Sequence, residues 1–410
     1  MNAARLIALA PWLLACLSAC GHRTAVAGAD NRPAVPAQTL AIINGKVFDG
    51  TEPAAPVEHV VLVEGDRIVR VAPRDEVDLS VVPTVIDADG GFVMPGVIDA
   101  HVHVYFSGLP RGEDILTPWL EAGVTTLVDV GTMRHTVRAT RALAEASGEH
   151  TPRLFVAGPI LTAPGGYPMT RVEHDVDLYG RSVRGVTLAR EAVADLIDLQ
   201  GADLIKIAIE AGFDRDYSDE GWPVLSPEEV RAITGAAHER GRKVYAHVSQ
   251  PLELRAAVDA GVDVAAHPPI SPVPEEILEE AARAGMVFIS TANIWTPENT
   301  REVVANLSAF HRLGGRIALG TDFPYQEGST MPVEEMQLLL DAGLTPAEVL
   351  VAATRNGAFA IGKDAELGTL EPGKLADIII VDGDPLSDLA ALHNVRVVIH
   401  AGTAVVSQVK

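Results

Sequence analysis

His101 and His103 stand two residues apart in an apolar run, Val97 to Val104, that reads VIDAHVHV. Side chains on a strand alternate faces, so a strand here sends both imidazoles to one side and Val102 to the other. Two neighbouring imidazoles can share one metal ion, which a helix achieves only at i, i+4 spacing. Paired strand histidines also occur on half-buried surfaces, so the pair needs support from elsewhere in the chain. Later apolar runs supply it. Lys206 lies inside LIKIAI, His247 ends KVYAH, His267 ends VAAH, and Asp322 closes ALGTD. Each has an ordinary reading when taken singly: His247 and His267 as satisfied core histidines, Asp322 as a helix N-cap, Lys206 as a lysine reaching out from a sheet edge. Together they bring imidazoles, a carboxylate and an amine, a donor set suited to divalent metal.

Those residues need elements that carry them to one place. Apolar runs at Val97–Val104, Thr125–Val130, Leu154–Ala157, Leu204–Ile209, Lys243–His247, Val262–His267, Val287–Ser290 and Arg316–Gly320 read as strands, and helical patterns lie between them. After Leu225 the helical half of the unit is explicit. Ser226 is an N-cap, Pro227 takes the first helical position, Glu229 closes a capping box, and Gly241 stands just past the end. Continuous apolar strands alternating with helices predict a parallel sheet, and eight such units predict an α/β fold of the (β/α)8 TIM-barrel type. Active sites of such barrels lie at the C-terminal ends of the strands, where these side chains would converge. Ile205 and Ile207 would then face the helices and Lys206 the interior, where an ammonium is costly to desolvate. Carboxylation of its neutral amine by CO2 would make a carbamate able to bridge two cations.

Both ends of the chain have a different texture. Leu40 to Val71 holds short β-rich runs, LAIINGKVFDG and VVLVEGDRIVRV, in which Asn44-Gly45 and Glu64-Gly65-Asp66 predict hairpin turns. Similar runs return in ADIIIVDGDPL and VRVVIHAGTAV, so one small β-sandwich is expected from residues 39–93 and 366–410, around a barrel at 94–365. Residues 20–38, rich in Ala, Pro and polar side chains, read as a flexible tether. Leu6 to Leu17 is too short to span a bilayer of about 30 Å but suits the core of a signal peptide, residues 1–19. The run ends Leu17-Ser18-Ala19-Cys20, which resembles a bacterial lipoprotein signal with Cys20 as the lipidated residue. Gly21 after it, in place of aspartate, implies a cell-envelope protein facing the periplasm or exterior, on the outer membrane if the cell is Gram-negative. The other cysteine is Cys16, so the globular part forms no internal disulfide. A formal charge of −23 argues against nucleic acid as partner. The expected partners are a small-molecule substrate and, through the lipid anchor alone, a membrane; a homo-oligomer is left open.

MPGVIDAHVHV, EAGVTTLVDVG, GADLIKI, GRKVYAH, LGTDFP and LEPGKLADIIIV resemble landmarks of the amidohydrolase superfamily, close to its imidazolonepropionase and prolidase-like group. The resemblance runs over roughly residues 39 to 410 and includes the terminal sandwich. It implies that His101, His103 and Asp322 bind a more buried ion, that His247 and His267 bind a second, and that carboxylated Lys206 bridges the two. Zinc suits these ligands, with manganese, iron and nickel open. Two divalent ions sharing one water lower its pKa from 15.7 to about 7 or below, which makes hydroxide available at neutral pH. Asp322 would take its proton and pass it to the leaving nitrogen as an amide bond breaks, in a dipeptide or an N-acyl amino acid.

Some positions depart from that pattern. Tyr167, in TAPGGYP, stands where prolidase-like relatives commonly have histidine, which makes it the candidate contact to the oxyanion or amide oxygen. His247 is followed by Val248-Ser249 without the expected tyrosine. Arg171, Arg181 and Arg184 offer carboxylate clamps, and Asp214, Asp216, Asp219 and Glu220 offer a cation site, unless both sets are solvated loop charges. The competing readings are a mononuclear hydrolase or deaminase of a cyclic amidine or ring amide, a phosphotriesterase-like or lactonase activity, and a surface binding protein that has lost catalysis.

Overall fold

Apolar runs rich in Val, Ile and Ala form eight short parallel strands: Val97–Val102, Val124–Asp129, Arg153–Val156, Ile205–Ala208, Val244–His247, Val264–Ala265, Val287–Ile289 and Arg316–Ala318. They are numbered one to eight below. The computed structural model describes residues 39–104, 112–132, 137–146, 150–168, 180–212, 221–324 and 331–407. Leu6–Leu17 and Cys20 lie outside these residues, as do Arg171, Asp214, Asp216, Asp219 and Glu220. Strands one to three make one parallel sheet, and strands four to eight continue a second from Ile160–Thr162, beside which lies Gly180–Ser182. Those last two strands were not anticipated from sequence.

The sheets meet through backbone hydrogen bonds. Ala100 N donates to Leu319 O at 2.9 Å and His103 N to Phe323 O at 2.7 Å, joining strand one to the exit of strand eight. Asp203 N donates to Val156 O at 2.9 Å, joining the entry of strand four to strand three. With helices such as Pro227–His238, Pro251–Asp259 and Pro297–Arg312 following the strands, this is a TIM-barrel-like α/β fold.

Two apolar layers separate the faces of the strands. Ile205 and Ile207 pack with helix residues such as Val230, Ile233 and Leu254, whereas Leu204, Tyr245, Val264 and Ile289 pack together on the other side. Period-two alternation therefore sends Lys206 to the inner side with Leu204, as expected. The helix Pro227–His238 starts as its sequence dictates. The Ser226 hydroxyl accepts Glu229 N at 3.3 Å, and the Glu229 carboxylate accepts Ser226 N at 2.7 Å.

Strands from both chain ends form one eight-stranded sheet among the described residues. Its order is Thr403–Ser407, Val395–His400, Ile378–Val381, Phe92–Pro95, Thr39–Val47, Val57–Glu64, Arg67–Ala72, with Thr84–Asp87 pairing Thr39–Val47. Ile378–Val381 lies antiparallel to Phe92–Pro95, so the late chain clamps the segment that leads directly into strand one. Glu64-Gly65-Asp66 does make the hairpin, with Gly65 at φ +60°. Asn44-Gly45 does not. It sits inside Thr39–Val47 as a register shift, with Asn44 at φ +56° and its side-chain amide donating to Asp87 at 2.9 Å. A pair that tolerates positive φ serves a bulge as readily as a turn, and local sequence does not separate the two. Among the described residues no helix is long and apolar enough to cross a membrane.

One buried carboxylate ties a helix start to the strand ends. Glu253 accepts Ser249 N at 2.7 Å, Gln250 N at 3.0 Å and, from the exit of strand four, Ala211 N at 2.8 Å. Glu253→Ala leaves these three donors without their acceptor, and an expected loss of roughly 1–3 kcal/mol follows from buried unsatisfied groups. Urea unfolding measures it; a stability within about 0.5 kcal/mol of the parent, the usual scatter of surface changes, would refute this role.

Candidate metal centre

His101 and His103 emerge at the end of strand one, and Asp322 follows strand eight beside them. The His101 Nδ1 lies 2.9 Å from the Ala266 carbonyl and the His103 Nδ1 lies 3.0 Å from the Gly131 carbonyl. A carbonyl only accepts, so each Nδ1 carries a ring proton, and in the neutral form of either ring the lone pair lies at Nε2. Both Nε2 atoms face the same Asp322 Oδ1, each at 3.2 Å. Atoms this close could all serve as ligands of one divalent ion, whose ligand distances are about 2.0–2.2 Å.

Burial sharpens the arrangement. His101 is 0% exposed, Asp322 5% and His103 7%. Desolvation and the charge of Lys206 pull His101 down to about 3, so it stays neutral. For His103 burial works the same way but is outweighed by the hydrogen bond and charge of Asp322, and the net shift is upward. Burial raises Asp322, yet the surrounding imidazoles hold it well below the carboxylate range. A proton on His103 relieves one contact with the carboxylate. His101 Nε2 and Asp322 Oδ1 are still left without a hydrogen-bond partner, which a cation among the three would satisfy.

Several groups that sequence reading missed hold these ligands in place. Asp99, fully buried, accepts Thr321 Oγ1 at 2.6 Å, Thr321 N at 3.0 Å and His101 N at 3.2 Å. It pins strand one to the turn before Asp322, and desolvation pushes it up to about 7. Asp129 accepts Gly131 N at 3.1 Å and Val104 N at 3.2 Å, fixing the segment whose carbonyl meets His103. Two glycines permit the close approach. A Cβ on Gly131 would come 2.7 Å from the His103 ring, and one on Gly320 would come 2.9 Å from His101 Cβ. Asp322 itself adopts φ +56°, a left-handed conformation that aspartate tolerates better than most residues.

The remaining predicted residues surround this triad. The His267 ring lies 4.6 Å from that of His101 and 4.6 Å from that of His247. His267 Nδ1 meets Thr291 Oγ1 at 2.9 Å, which leaves Nε2 for other use. Lys206 is 1% exposed, its Nζ has no hydrogen-bond partner, and burial lowers it to about 7. Glu210, at the exit of strand four and also unforeseen, places Oε2 3.6 Å from His247 Nε2. The signal for it was available, since Glu210 shares the inward parity of Lys206 in an apolar stretch. Tyr167 lies with its ring stacked 4.3 Å from His247, at 21° between planes. Arg181, in the strand Gly180–Ser182, is paired with Asp195, and Arg184 is exposed.

Comparison with known proteins agrees with this geometry. The sequence pattern of the amidohydrolase family matches residues 92–405. The chain belongs to the amidohydrolase family. It is similar to the imidazolonepropionase of Symbiobacterium thermophilum, at 32% identity over 363 residues, covering 77% of this chain and 81% of that one. A prolidase complexed with N-methylphosphonate-L-proline superposes with a TM-score of 0.75 at 26% identity, over 90% of this chain and 100% of that one. The Aspergillus niger ochratoxinase shares the fold, with a TM-score of 0.78 at 20% identity over 90% of this chain and 96% of that one.

The amidohydrolase is thus an enzyme of carbon–nitrogen bond hydrolysis, from a metal-dependent family. Among the described residues His101, His103 and Asp322 are the cluster whose ligand atoms all lie within 4.8 Å of one another. The donor set fits a divalent ion: two imidazoles and a carboxylate, all buried, with His101 Nε2 and Asp322 Oδ1 left without a hydrogen-bond partner. Binding should therefore stabilise the fold. Zinc at about 100 times its Kd adds roughly 2.7 kcal/mol when it binds only the native state. Thermal unfolding of the metal-free enzyme should register that gain, and His101→Ala should abolish it. An undiminished gain in His101→Ala would put the ion elsewhere.

Proposed function

We propose that the enzyme hydrolyses the amide bond of a dipeptide or N-acyl amino acid at a two-ion centre. The reading sets the site in a closed (β/α)8 barrel at residues 94–365, beside a β-sandwich folded from 39–93 and 366–410. One observation carries it above the rest: Lys206 lies buried and without a hydrogen-bond partner beside the ligands, with its amine brought to about 7 by burial. An amine that is substantially neutral near pH 7 is the form that CO2 carboxylates. The resulting carbamate turns an uncompensated buried cation into an anion among cations. In this reading His101, His103 and Asp322 hold one ion, His247 and His267 hold the other, and carboxylated Lys206 joins them.

Two divalent ions, zinc by ligand type, would supply a water acidic enough to ionise near neutral pH and a Lewis acid for the carbonyl. The chain's own groups do the rest. Asp322 accepts the proton of the attacking water and delivers it to the leaving nitrogen, a relay worth typically ~10²–10⁴-fold. Burial of the triad keeps bulk water out and strengthens each charge interaction. Tyr167, stacked on His247, is the candidate donor to the developing oxyanion, a neutral hydrogen bond where a cation is not needed.

A mononuclear reading has its own support. Among the described residues the cluster that meets mutual ligand distances holds His101, His103 and Asp322, and a 32% identical relative is an imidazolonepropionase. That reading takes a ring amide or cyclic amidine as substrate and gives Lys206 no metal. Elemental analysis decides between the two. The two-ion reading expects close to two equivalents per chain, falling with most of the turnover in Lys206→Ala, and an Asp322→Asn enzyme slower by at least ~10²-fold. A fully active Lys206→Ala enzyme favours the single ion, and near-normal turnover in Asp322→Asn removes the proton relay.

We propose further that Cys20 is lipidated and holds the enzyme on the bacterial envelope, the support being the Leu17-Ser18-Ala19-Cys20 site after a short apolar run. Cys20→Ser should move the enzyme from the membrane to the soluble fraction at unchanged turnover. Persistent, detergent-dependent membrane binding of that variant would exclude the anchor.

A further inference from the structure

The aromatic rings around His247 and His267 bear on which amide fits. Tyr167 lies against His247 at 4.3 Å, and Trp222 continues the stack at 5.9 Å from Tyr167, with 18° between their planes. On the neighbouring histidine, Trp295 meets His267 edge to face at 5.9 Å and 79°. The two histidines are adjacent, 4.6 Å between ring centres. Exposure rises outward through these layers. Lys206 and His267 are 1–2% exposed and His247 is 5%, whereas Tyr167, Trp222 and Trp295 are all half-buried. The three aromatic residues thus form an outer layer over the histidines assigned to the second ion.

We infer that this layer selects amides whose carbonyl carries a planar aromatic group, that is, aroyl amides; the inference rests on the amide-hydrolase reading above. A carbonyl seated over His247 and His267 has the Tyr167–Trp222 stack on one histidine and Trp295 on the other. A group bonded to that carbonyl extends outward past them. A flat ring conjugated with a carbonyl is electron-poor, and the faces of indole and phenol are electron-rich, so parallel stacking is favoured beyond simple area burial. A saturated ring of the same size has neither the flatness nor the complementary charge distribution. Arg181, a candidate clamp for an anionic group, is paired with Asp195, and Arg184 is exposed.

The test uses two metal-directed probes of matched size, benzohydroxamate and cyclohexanecarbohydroxamate, bound to the metal-loaded enzyme and followed by calorimetry. The quantity read is the affinity ratio of the flat to the saturated probe, so intrinsic differences in metal binding cancel between parent and variants. Removing one stacking partner in Trp222→Leu or Trp295→Leu should lower this ratio by about 5-fold, in keeping with the strength of aromatic pairs. Trp222→Phe, which keeps an aromatic face, should retain most of it. Metal content and thermal unfolding temperature, equal to the parent's, establish that each variant is folded and loaded. A ratio unchanged in both leucine variants would overturn the inference. If the ratio falls as expected while N-benzoyl amino acids are not hydrolysed, aromatic selection stands and the amide-hydrolase assignment fails instead.

Discussion

Three buried acceptor atoms pointed at one another define this molecule's centre. His101 Nε2 and His103 Nε2 each lie 3.2 Å from Asp322 Oδ1, and both rings are committed through Nδ1 to backbone carbonyls. In a low-dielectric interior such a cluster is unfavourable by itself, since one proton satisfies only part of it. The fold supplies rigidity enough to hold it. The arrangement is therefore informative: a protein spends stability on converging acceptors where a cation is to be gripped.

That rigidity comes largely from carboxylates that never face the ligand. Asp99, Asp129, Glu253 and Glu335 are all buried, and each accepts backbone N–H groups from segments at the strand ends. Desolvation pushes Asp129 up to about 6, and Asp99, Glu253 and Glu335 up to about 7. The backbone donors they accept oppose that cost, and the same bonds fix loops that would otherwise be free to drift. Glu335, reaching Ala292 N at 2.8 Å and Asn293 N at 2.9 Å, orders the exit of strand seven next to Thr291, the partner of His267. Second-tier hydrogen bonds of this kind orient metal-ligating imidazoles and select their tautomer.

The terminal sheet contributes at a distance. Ile378–Val381 clamps Phe92–Pro95, and after Gly96 alone Val97 begins strand one. Gly96 has no room for a side chain, as a Cβ there would meet Thr125 Oγ1 at 2.2 Å. The entry angle of the histidine-bearing strand is thus set by packing between the sheet from both chain ends and strand two. A change in either is transmitted to His101 through a few residues of extended chain.

Much of the site was legible from the chain because it obeys local periodicity. Period-two parity put Lys206 inward between Ile205 and Ile207, and the capping box at Ser226 and Glu229 needed only neighbours three residues apart. Residue type and strand-end position were enough to collect His101, His103, His247, His267 and Asp322, since parallel strands deliver their C-terminal ends to one face. Only tertiary structure decided the rest. Asn44-Gly45 favours positive φ in a bulge or a turn alike, and the choice of bulge came from pairing with Val57–Glu64 on both sides. Asp99 and Glu210 read as unremarkable acids until a residue 222 positions away or a neighbouring strand's histidine was brought beside them. The stack of Trp222, Tyr167 and His247 has no sequence period, because its members come from different loops and strands. Short-range order follows from covalent spacing and backbone preference; long-range adjacency is set by which surfaces bury one another.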